Sequence, residues 1–442
     1  MQQDSKWSLI KDLPSAEPDT LVHLRGWVHQ IRKQGKLVFI VLRDPTGYLQ
    51  VVVKPNAIQN RDEYDLAANS ARETTVIITG YPKEDSRAPF IGRELQATGF
   101  QILSPSSAEI ENEVRFDSSP EVMLDKRHLV LRGPKTTAVL KLRSETTRLL
   151  REFYHLRDFY EVTPPTLVQT QVEGGSTLFP LKYFDQNAYL TQSSQLYLET
   201  AIFSLGNVYC VLPSFRAEKS RTRRHLTEYT HVEGEMAFYD FDDLLDHLED
   251  MVVYLTSKLD DLHRDAIQEF NPGFKPFDKR PFMRLDYEKA IEKLQEMDIK
   301  GENGKLLEFG DDITEKPERE LVDKLDQPVF LVKFPTSMKP FYMKRDPENP
   351  KRTMSADLLI PGVGEIVGGS QREDDYNILM EQLAEENLDP SPYYWYTDLR
   401  KYGSCIHSGY GFGLERFVMW LLNLDHIREA CLFPRLLNRL SP

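Results

Sequence analysis

Five cations within ten residues are the feature that most constrains this chain. The stretch Phe215 to Glu235, FRAEKSRTRRHLTEYTHVEGE, opens with Arg216, Lys219, Arg221, Arg223 and Arg224. Apolar–polar alternation flanks it, VYCVLPSF before and YTHVEGEMAF after, and a period of two residues is that of a half-buried strand. The pattern predicts strand, basic loop, strand. Guanidinium groups at the neck of such a hairpin suit polyphosphate, because arginine is planar, always charged and able to bond phosphate oxygens in pairs. Taken alone, the stretch reads equally well as a solvated basic hairpin.

The chain around it is globular and acidic. With 442 residues and 40 % hydrophobic content there is length for two or three domains. The net charge of −14 excludes a protein that coats nucleic acid indiscriminately, so any nucleic-acid partner must meet a local basic face, and no DNA partner is expected. Residues 1–104 hold 13 Lys/Arg against 12 Asp/Glu, so the acidic excess lies downstream. Cys210, Cys405 and Cys431 are far apart and odd in number, which predicts reduced thiols and a cytoplasmic setting. The N-terminus has no apolar signal core and no run reaches the length of a membrane span, so no membrane partner is expected.

Residues 1–20 read as a polar arm. Residues 21–104 hold five short strand-like runs, among them LVHLRGWVHQIR, LVFIVLRD and YLQVVVK, with a helix predicted over Gln59–Arg72. Such a series fits a small five-stranded barrel of the oligonucleotide-binding type, although an all-β module with another role has the same pattern. Pro105 to Ser119 is rich in Ser, Pro and Glu and predicts a boundary, with 105–130 as hinge. From 131 to 442 the chain reads as one α+β domain. Apolar residues at helical spacing (Val139, Leu142, Leu149, Leu150, Phe153, Leu156) predict a helix over Lys135–Tyr160, ended by Pro164 and Pro165. Phe241–Leu259 predicts a second. The stretch 271–325 is charged and punctuated by Gly and Pro, and reads as an insertion or lid.

Three stretches in this order, EVTPP, the FRAE…RHLTEYTHVEGE hairpin and GYGFGLERF, resemble the three signature motifs of class II aminoacyl-tRNA synthetases. The resemblance covers residues 21–442. A barrel ahead of the catalytic part points to the aspartyl/asparaginyl/lysyl subgroup. The implied fold is an N-terminal five-stranded OB-type barrel followed by a class II catalytic domain on an antiparallel sheet, acting as a homodimer with Pro165 at the two-fold interface.

The resemblance also implies roles, each with a physical reason beside it. Adenylate formation needs the α-phosphate held and its developing charge neutralised. Arg216 is placed on the α-phosphate and Arg416 on the γ-phosphate. Arg224, His225 and Leu226 belong to the ATP site, with Glu218 on the adenine amino group, Tyr229 stacked on the base and Gly413 beside it. Mg2+ is implied with ATP, and Glu235 and Glu365 resemble the metal-contacting carboxylates. Glu173, Ser194, Gln195, Glu233, Gly368 and Arg372, together with Arg216, make up the amino-acid pocket.

Within the subgroup, aspartyl enzymes carry a lysine in the segment QSPQLYK, where this chain has QSSQLYLE and Leu198, and an aspartate where it has Glu233. Removing a cation and keeping an anion suits a carboxamide and disfavours a carboxylate. The text PYYWYTDLRKYGSC also resembles cytosolic eukaryotic, asparagine-specific members. The implied substrates are ATP, L-asparagine and tRNA(Asn). An aspartyl enzyme, or a synthetase-derived maker of free asparagine, is the alternative. In the barrel, Phe39 and Gln50 lie eleven residues apart, the subgroup's spacing for a ring stacked on the middle anticodon base and a glutamine on its edge. Arg25 and Arg32 would add backbone contacts.

Overall fold

The computed structural model describes residues 7–115, 117–172, 177–219, 222–278 and 280–442. They form two compact units, Met1–Lys126 and Arg127–Pro442. Among the described residues no helix is long and apolar enough to cross a membrane.

In the first unit β1 (Val22–Gln34), β2 (Leu37–Arg43), β3 (Tyr48–Val53), β4 (Thr75–Glu84) and β5 (Arg93–Ser104) close into a barrel in the order β1-β2-β3-β5-β4. Gly35 takes a left-handed φ of 60° and turns β1 into β2, where Gln34 pairs with Leu37. Alternation sorts the side chains. Val38, Ile40 and Leu42 of β2 point inward with Leu24, Val51 and Ile78, while Phe39 faces outward and is half-buried. The helix between β3 and β4 spans Arg61–Asn69, shorter than the expected 59–72. Asn60 caps it by accepting from the Glu63 N–H at 2.9 Å.

The second unit is built on an eight-stranded sheet. From one edge the strands run Met283–Asp286, Val329–Val332, Ser355–Ile360, Gly364–Gln371, His407–Gly413, Glu228–Ala237, Asn207–Phe215 and Tyr160–Glu161. The sheet is mixed and not wholly antiparallel as expected: the pairs at its two edges are parallel and the interior pairs antiparallel. Each edge strand enters after a helical or loop crossover, which is what a parallel neighbour requires.

The long helix is Pro134–His155, with proline in its first turn. It buries Val139, Leu142, Leu149, Leu150 and Phe153 against the sheet and the helix Phe241–Gln268, and each such side chain contributes about 1.5–3 kcal/mol. It stops before Tyr160 because Asp158 turns the chain through a left-handed φ of 58°. The 271–325 stretch is built into the second unit. It supplies the edge strand Met283–Asp286 and the helices Tyr287–Glu296 and Glu315–Leu325, whose Leu285, Tyr287, Leu321 and Val322 share a core with the sheet's Val329 and Leu331.

Candidate functional site

The interior strands of the large sheet form the floor of a cavity of about 1150 Å3. The basic hairpin is as expected: Asn207–Phe215 pairs antiparallel with Glu228–Ala237 through Phe215 and Glu228, and the cationic loop hangs from its open end. Arg216, Glu218, Arg224, His225, Leu226, Tyr229, Glu233, Glu235, Glu365, Gly368, Arg372, Gly413 and Arg416 all line the cavity, with Gln195 and Leu198. Ser194 stands behind that lining. Glu173 and Arg221 lie outside the described residues.

One end of the cavity is cationic. The Arg216 N–H donates to the Thr227 carbonyl at 3.0 Å, and its guanidinium lies 5.5 Å from the Tyr229 ring centroid and 3.9 Å from Glu218. Arg416, in the first turn of the helix Leu414–Leu421, donates to Glu365 Oε2 at 3.0 Å. Burial alone would push the Glu365 carboxyl up, but Arg416, Arg224 and Lys339 outweigh it and hold it down at about 2. His225 is pushed down to about 4 by burial, reinforced by Arg416, Arg224 and Arg216, so its ring is neutral near pH 7. Arg224 is buried and donates to Glu318 Oε1 at 2.7 Å. Burial and the nearby Glu365 push Glu318 up to about 7 in spite of Arg224.

The other end is a set of buried charges. Glu233 accepts from the Ser193 hydroxyl and, at 2.9 Å, from the Ser194 N–H; the Cys210 thiol lies 3.8 Å away and His231 3.5 Å away. Leu198 is fully buried and packs on Ile202, Val208 and Cys210. Arg372 makes a two-pronged pair with Glu235, Nε to Oε1 at 3.0 Å and Nη2 to Oε2 at 2.9 Å, and its Nη1 donates to Ser370 at 2.9 Å.

Both oxygens of Glu235 are engaged by Arg372 and the residue is fully buried, and it stands with Glu199 and His407 in a group whose ligand atoms lie within 4.8 Å of one another. The carboxylate that stands beside Glu365 is Asp357. A Cβ placed on Gly368 would lie 3.2 Å from Glu365 Oε1 and 3.3 Å from Asp357 Oδ1. Asp357 pairs in register with Gly368 across the hairpin of strands Ser355–Ile360 and Gly364–Gln371, so hairpin register was the signal that could have found it. Glu318 and Lys339 were also missed, since each meets the site through long-range packing, and so was Glu199, which meets it through Gln195 one turn earlier in its helix.

Gly409 and Gly411 of GYGFG leave room for side chains from the neighbouring strands, because a Cβ on Gly409 would lie 1.8 Å from Glu235 Oε2 and one on Gly411 2.1 Å from His231 Nε2.

In the barrel, Arg32 lies 4.7 Å over the Phe39 ring and donates to Gln50 Oε1 at 3.4 Å, while Gln50 Nε2 donates to Glu94 at 3.0 Å. Phe39, Gln50 and Arg32 therefore form one outward cluster, to which Glu94 is an addition. Arg25 is separate, on the β4-paired half of β1 and over the Trp7 ring at 4.4 Å. A half-buried ring under a guanidinium is a ready stacking platform. Phe39→Ala should raise the KM for tRNA about tenfold or more, as loss of one stacked base predicts, and leave amino-acid-dependent ATP–pyrophosphate exchange unchanged. Unchanged aminoacylation kinetics would remove Phe39 from tRNA reading.

Comparison with known proteins agrees with this geometry. Residues 119–437 match the family of class II tRNA synthetases (D, K and N), and residues 22–103 match the OB-fold nucleic acid binding domain. The chain is 49 % identical to the cytoplasmic asparagine–tRNA ligase of Mus musculus over 425 residues, covering 95 % of this chain and 75 % of that protein. The asparaginyl-tRNA synthetase of Pyrococcus horikoshii, solved with asparaginyl-adenylate, superposes with a TM-score of 0.92 at 42 % identity and covers the whole of both chains. That of Entamoeba histolytica, also solved with asparaginyl-adenylate, gives 0.92 at 44 % identity over 99 % of each. On these grounds the chain belongs to the asparaginyl-tRNA synthetases, in the class II group that also holds the aspartyl and lysyl enzymes.

Proposed function

We propose that this asparagine–tRNA ligase works by positioning and electrostatics, with each end of its cavity given to one substrate. ATP lies along the cationic end. Arg216 faces the α-phosphate, Arg224, His225 and Arg416 the rest of the triphosphate, and Tyr229 and Glu218 the adenine. Glu365 and Asp357, hard oxygen donors converging on a bare glycine, would hold Mg2+, which supplies positive charge to the phosphates when bound. The asparagine carboxylate, already ionised near neutral pH, attacks the α-phosphorus. The bond to the bridging oxygen breaks and pyrophosphate leaves. A hydroxyl of the terminal adenosine of tRNA(Asn) then attacks the activated carbonyl, and AMP leaves. Arg216 stabilises the charge that develops on the phosphorus oxygens.

The observation that carries asparagine over aspartate is the setting of Glu233. Its neighbours are hydroxyl, amide, thiol and imidazole groups, and the position that could supply an ammonium is the buried Leu198. A carboxamide can donate to Glu233 and accept from Arg372, whereas a second carboxylate would face an anion. ATP–pyrophosphate exchange against each of the twenty amino acids tests the reading: exchange with asparagine alone is expected, and exchange with aspartate would overturn the pocket assignment. Leu198→Lys combined with Glu233→Asp should move the asparagine-to-aspartate ratio of exchange rates toward aspartate by about tenfold or more, the order of one charge-assisted contact. An unmoved ratio would clear both positions of a role in selectivity.

The homodimer is assigned to the face that carries Pro165, where Leu156 and Tyr160 are 62 % and 57 % exposed in the single chain. The compartment follows the relatives named cytoplasmic.

A further inference from the structure

The helix Tyr394–Lys401 lies in the text that set this chain apart in sequence, and nothing in the reaction above uses it. It is 8 residues long and carries Tyr396 and Arg400 on its buried side. Both converge on Glu199. Arg400 Nη2 donates to Glu199 Oε2 at 2.5 Å, the Tyr396 hydroxyl donates to the same oxygen at 2.8 Å, and His407 Nε2 stands 3.1 Å from it. Arg400 also donates to the Tyr396 hydroxyl at 3.0 Å and, through Nε, to the Glu373 carbonyl at 2.9 Å. Glu199, Tyr396 and His407 are fully buried, Arg400 nearly so, and none of the four lines the cavity.

The second oxygen of Glu199 points the other way. Oε1 accepts from Gln195 Nε2 at 2.9 Å and lies 3.9 Å from Arg372 Nε, and Gln195 and Arg372 do line the cavity. An ionised carboxylate can only accept hydrogen bonds. It therefore selects which end of the Gln195 amide turns toward it. The NH2 faces Glu199 and the carbonyl is left for the cavity, where it can accept from the ammonium group of an amino acid. A buried carboxylate persists as an anion only while cations and donors surround it, and Arg400 and Tyr396 provide them.

We infer that Tyr396 and Arg400 are positioning residues for asparagine: they lock Glu199, and Glu199 sets the sense of the Gln195 amide and supports Arg372 from behind. The inference rests on the pocket assignment above and extends it to a shell of residues that never touch substrate. Sequence distance hides the arrangement, since Glu199 and Arg400 are 201 residues apart.

The test is ATP–pyrophosphate exchange by the full chain, with KM for asparagine, KM for ATP, kcat per titrated active site and melting temperature measured together. Tyr396→Phe keeps the ring in its cluster with Leu196, Phe341 and Leu379 and removes one donor. It should raise the KM for asparagine about tenfold, the order of one hydrogen bond to a charged group, and leave the KM for ATP unchanged. Glu199→Gln can offer its own NH2 to Gln195 and so permits the amide to turn; its effect on the asparagine KM should be larger. Arg400→Lys, which keeps the charge and loses the fork, should fall between them. An unaltered KM for asparagine in Tyr396→Phe, with changes confined to melting temperature or to the fraction of active sites, would overturn the inference and leave the cluster a structural one. If Glu199→Gln does not fold, Tyr396→Phe decides alone. The wild-type chain measured alongside separates the two levels: no asparagine-dependent exchange there would overturn the assigned reaction itself, and the inference with it.

Discussion

Arg416→Ala should lower asparagine-dependent ATP–pyrophosphate exchange by about 1,000-fold or more, the scale on which an arginine acts at a transferring phosphate, while leaving the protein folded. The two halves of this expectation come from different observations. Arg416 stands at the first turn of its helix with 19 % of its side chain exposed, and its recorded partner is Glu365, 32 % exposed. Arg224 and Lys339 still face Glu365 when Arg416 is gone, so the protein should stay folded, with a melting temperature lowered by the loss of one largely buried ion pair. For catalysis the same guanidinium lines the cationic end of the cavity with Arg216 and Arg224, and its loss removes one of the groups proposed to meet the triphosphate. A second signature follows at Glu365. Arg416 is foremost among the cations that hold this carboxyl at about 2. A group whose folded-state pKa lies below its unfolded value stabilises the fold above the unfolded pKa and loses that contribution as pH falls through the folded one. Without Arg416 the folded value rises toward the unfolded one, so the contribution should be smaller and its loss on acidification complete at higher pH. Normal exchange in Arg416→Ala would mean that the triphosphate lies elsewhere.

What could be read before the structure was local. The hairpin, the barrel alternation and the stripe of the helix Pro134–His155 depend on spacings of two to four residues, and Val139, Leu142, Leu149, Leu150 and Phe153 are all buried. The same stripe also admitted Leu156, which is exposed because the helix ends there and the chain turns through Asp158. Periodicity reports a face, and it does not report where a turn takes the chain off that face. Partnerships were the harder part. Arg224 meets Glu318 across 94 residues, and Glu235, an acid in a conspicuous motif, has both oxygens engaged by Arg372. A buried carboxylate must have a partner, but sequence does not say whether that partner is a metal, a guanidinium or a helix of another region. The 271–325 stretch shows the same limit. Its charged, glycine-punctuated surface resembles an appendage, while Leu285, Tyr287 and Leu321 sit in a core and Glu318 pairs with Arg224, which lines the cationic end of the cavity.

Gly409→Ala should be the more damaging of these two substitutions to stability, although it adds one methyl group far from any phosphate. Gly409 sits on the strand His407–Gly413, paired with Glu235 on one side and Ser370 on the other. Its bare α-carbon leaves the space in which the Glu235–Arg372 pair is made. A Cβ there would lie 1.8 Å from Glu235 Oε2, 2.3 Å from Glu235 Cδ and 2.7 Å from Arg372 Nη2, so the paired side chains cannot keep their present positions. The strand cannot retreat, because it is hydrogen-bonded on both edges. Glu235 must move, and Arg372 then loses its two-pronged partner while remaining buried. Breaking a buried pair in this way costs about 3–5 kcal/mol, part of which appears as a lower melting temperature. The rest appears at the asparagine end of the cavity, where a displaced Arg372 can no longer meet the side-chain oxygen. The expected result is a fall of about 100-fold or more in kcat/KM for asparagine, carried chiefly by KM for the amino acid, with a smaller change in KM for ATP. Thermal denaturation followed by circular dichroism, together with exchange kinetics at saturating and limiting asparagine, separates the two losses. Wild-type kinetics in a stably folded Gly409→Ala protein would show that the Glu235–Arg372 pair does not hold the specificity arginine in place.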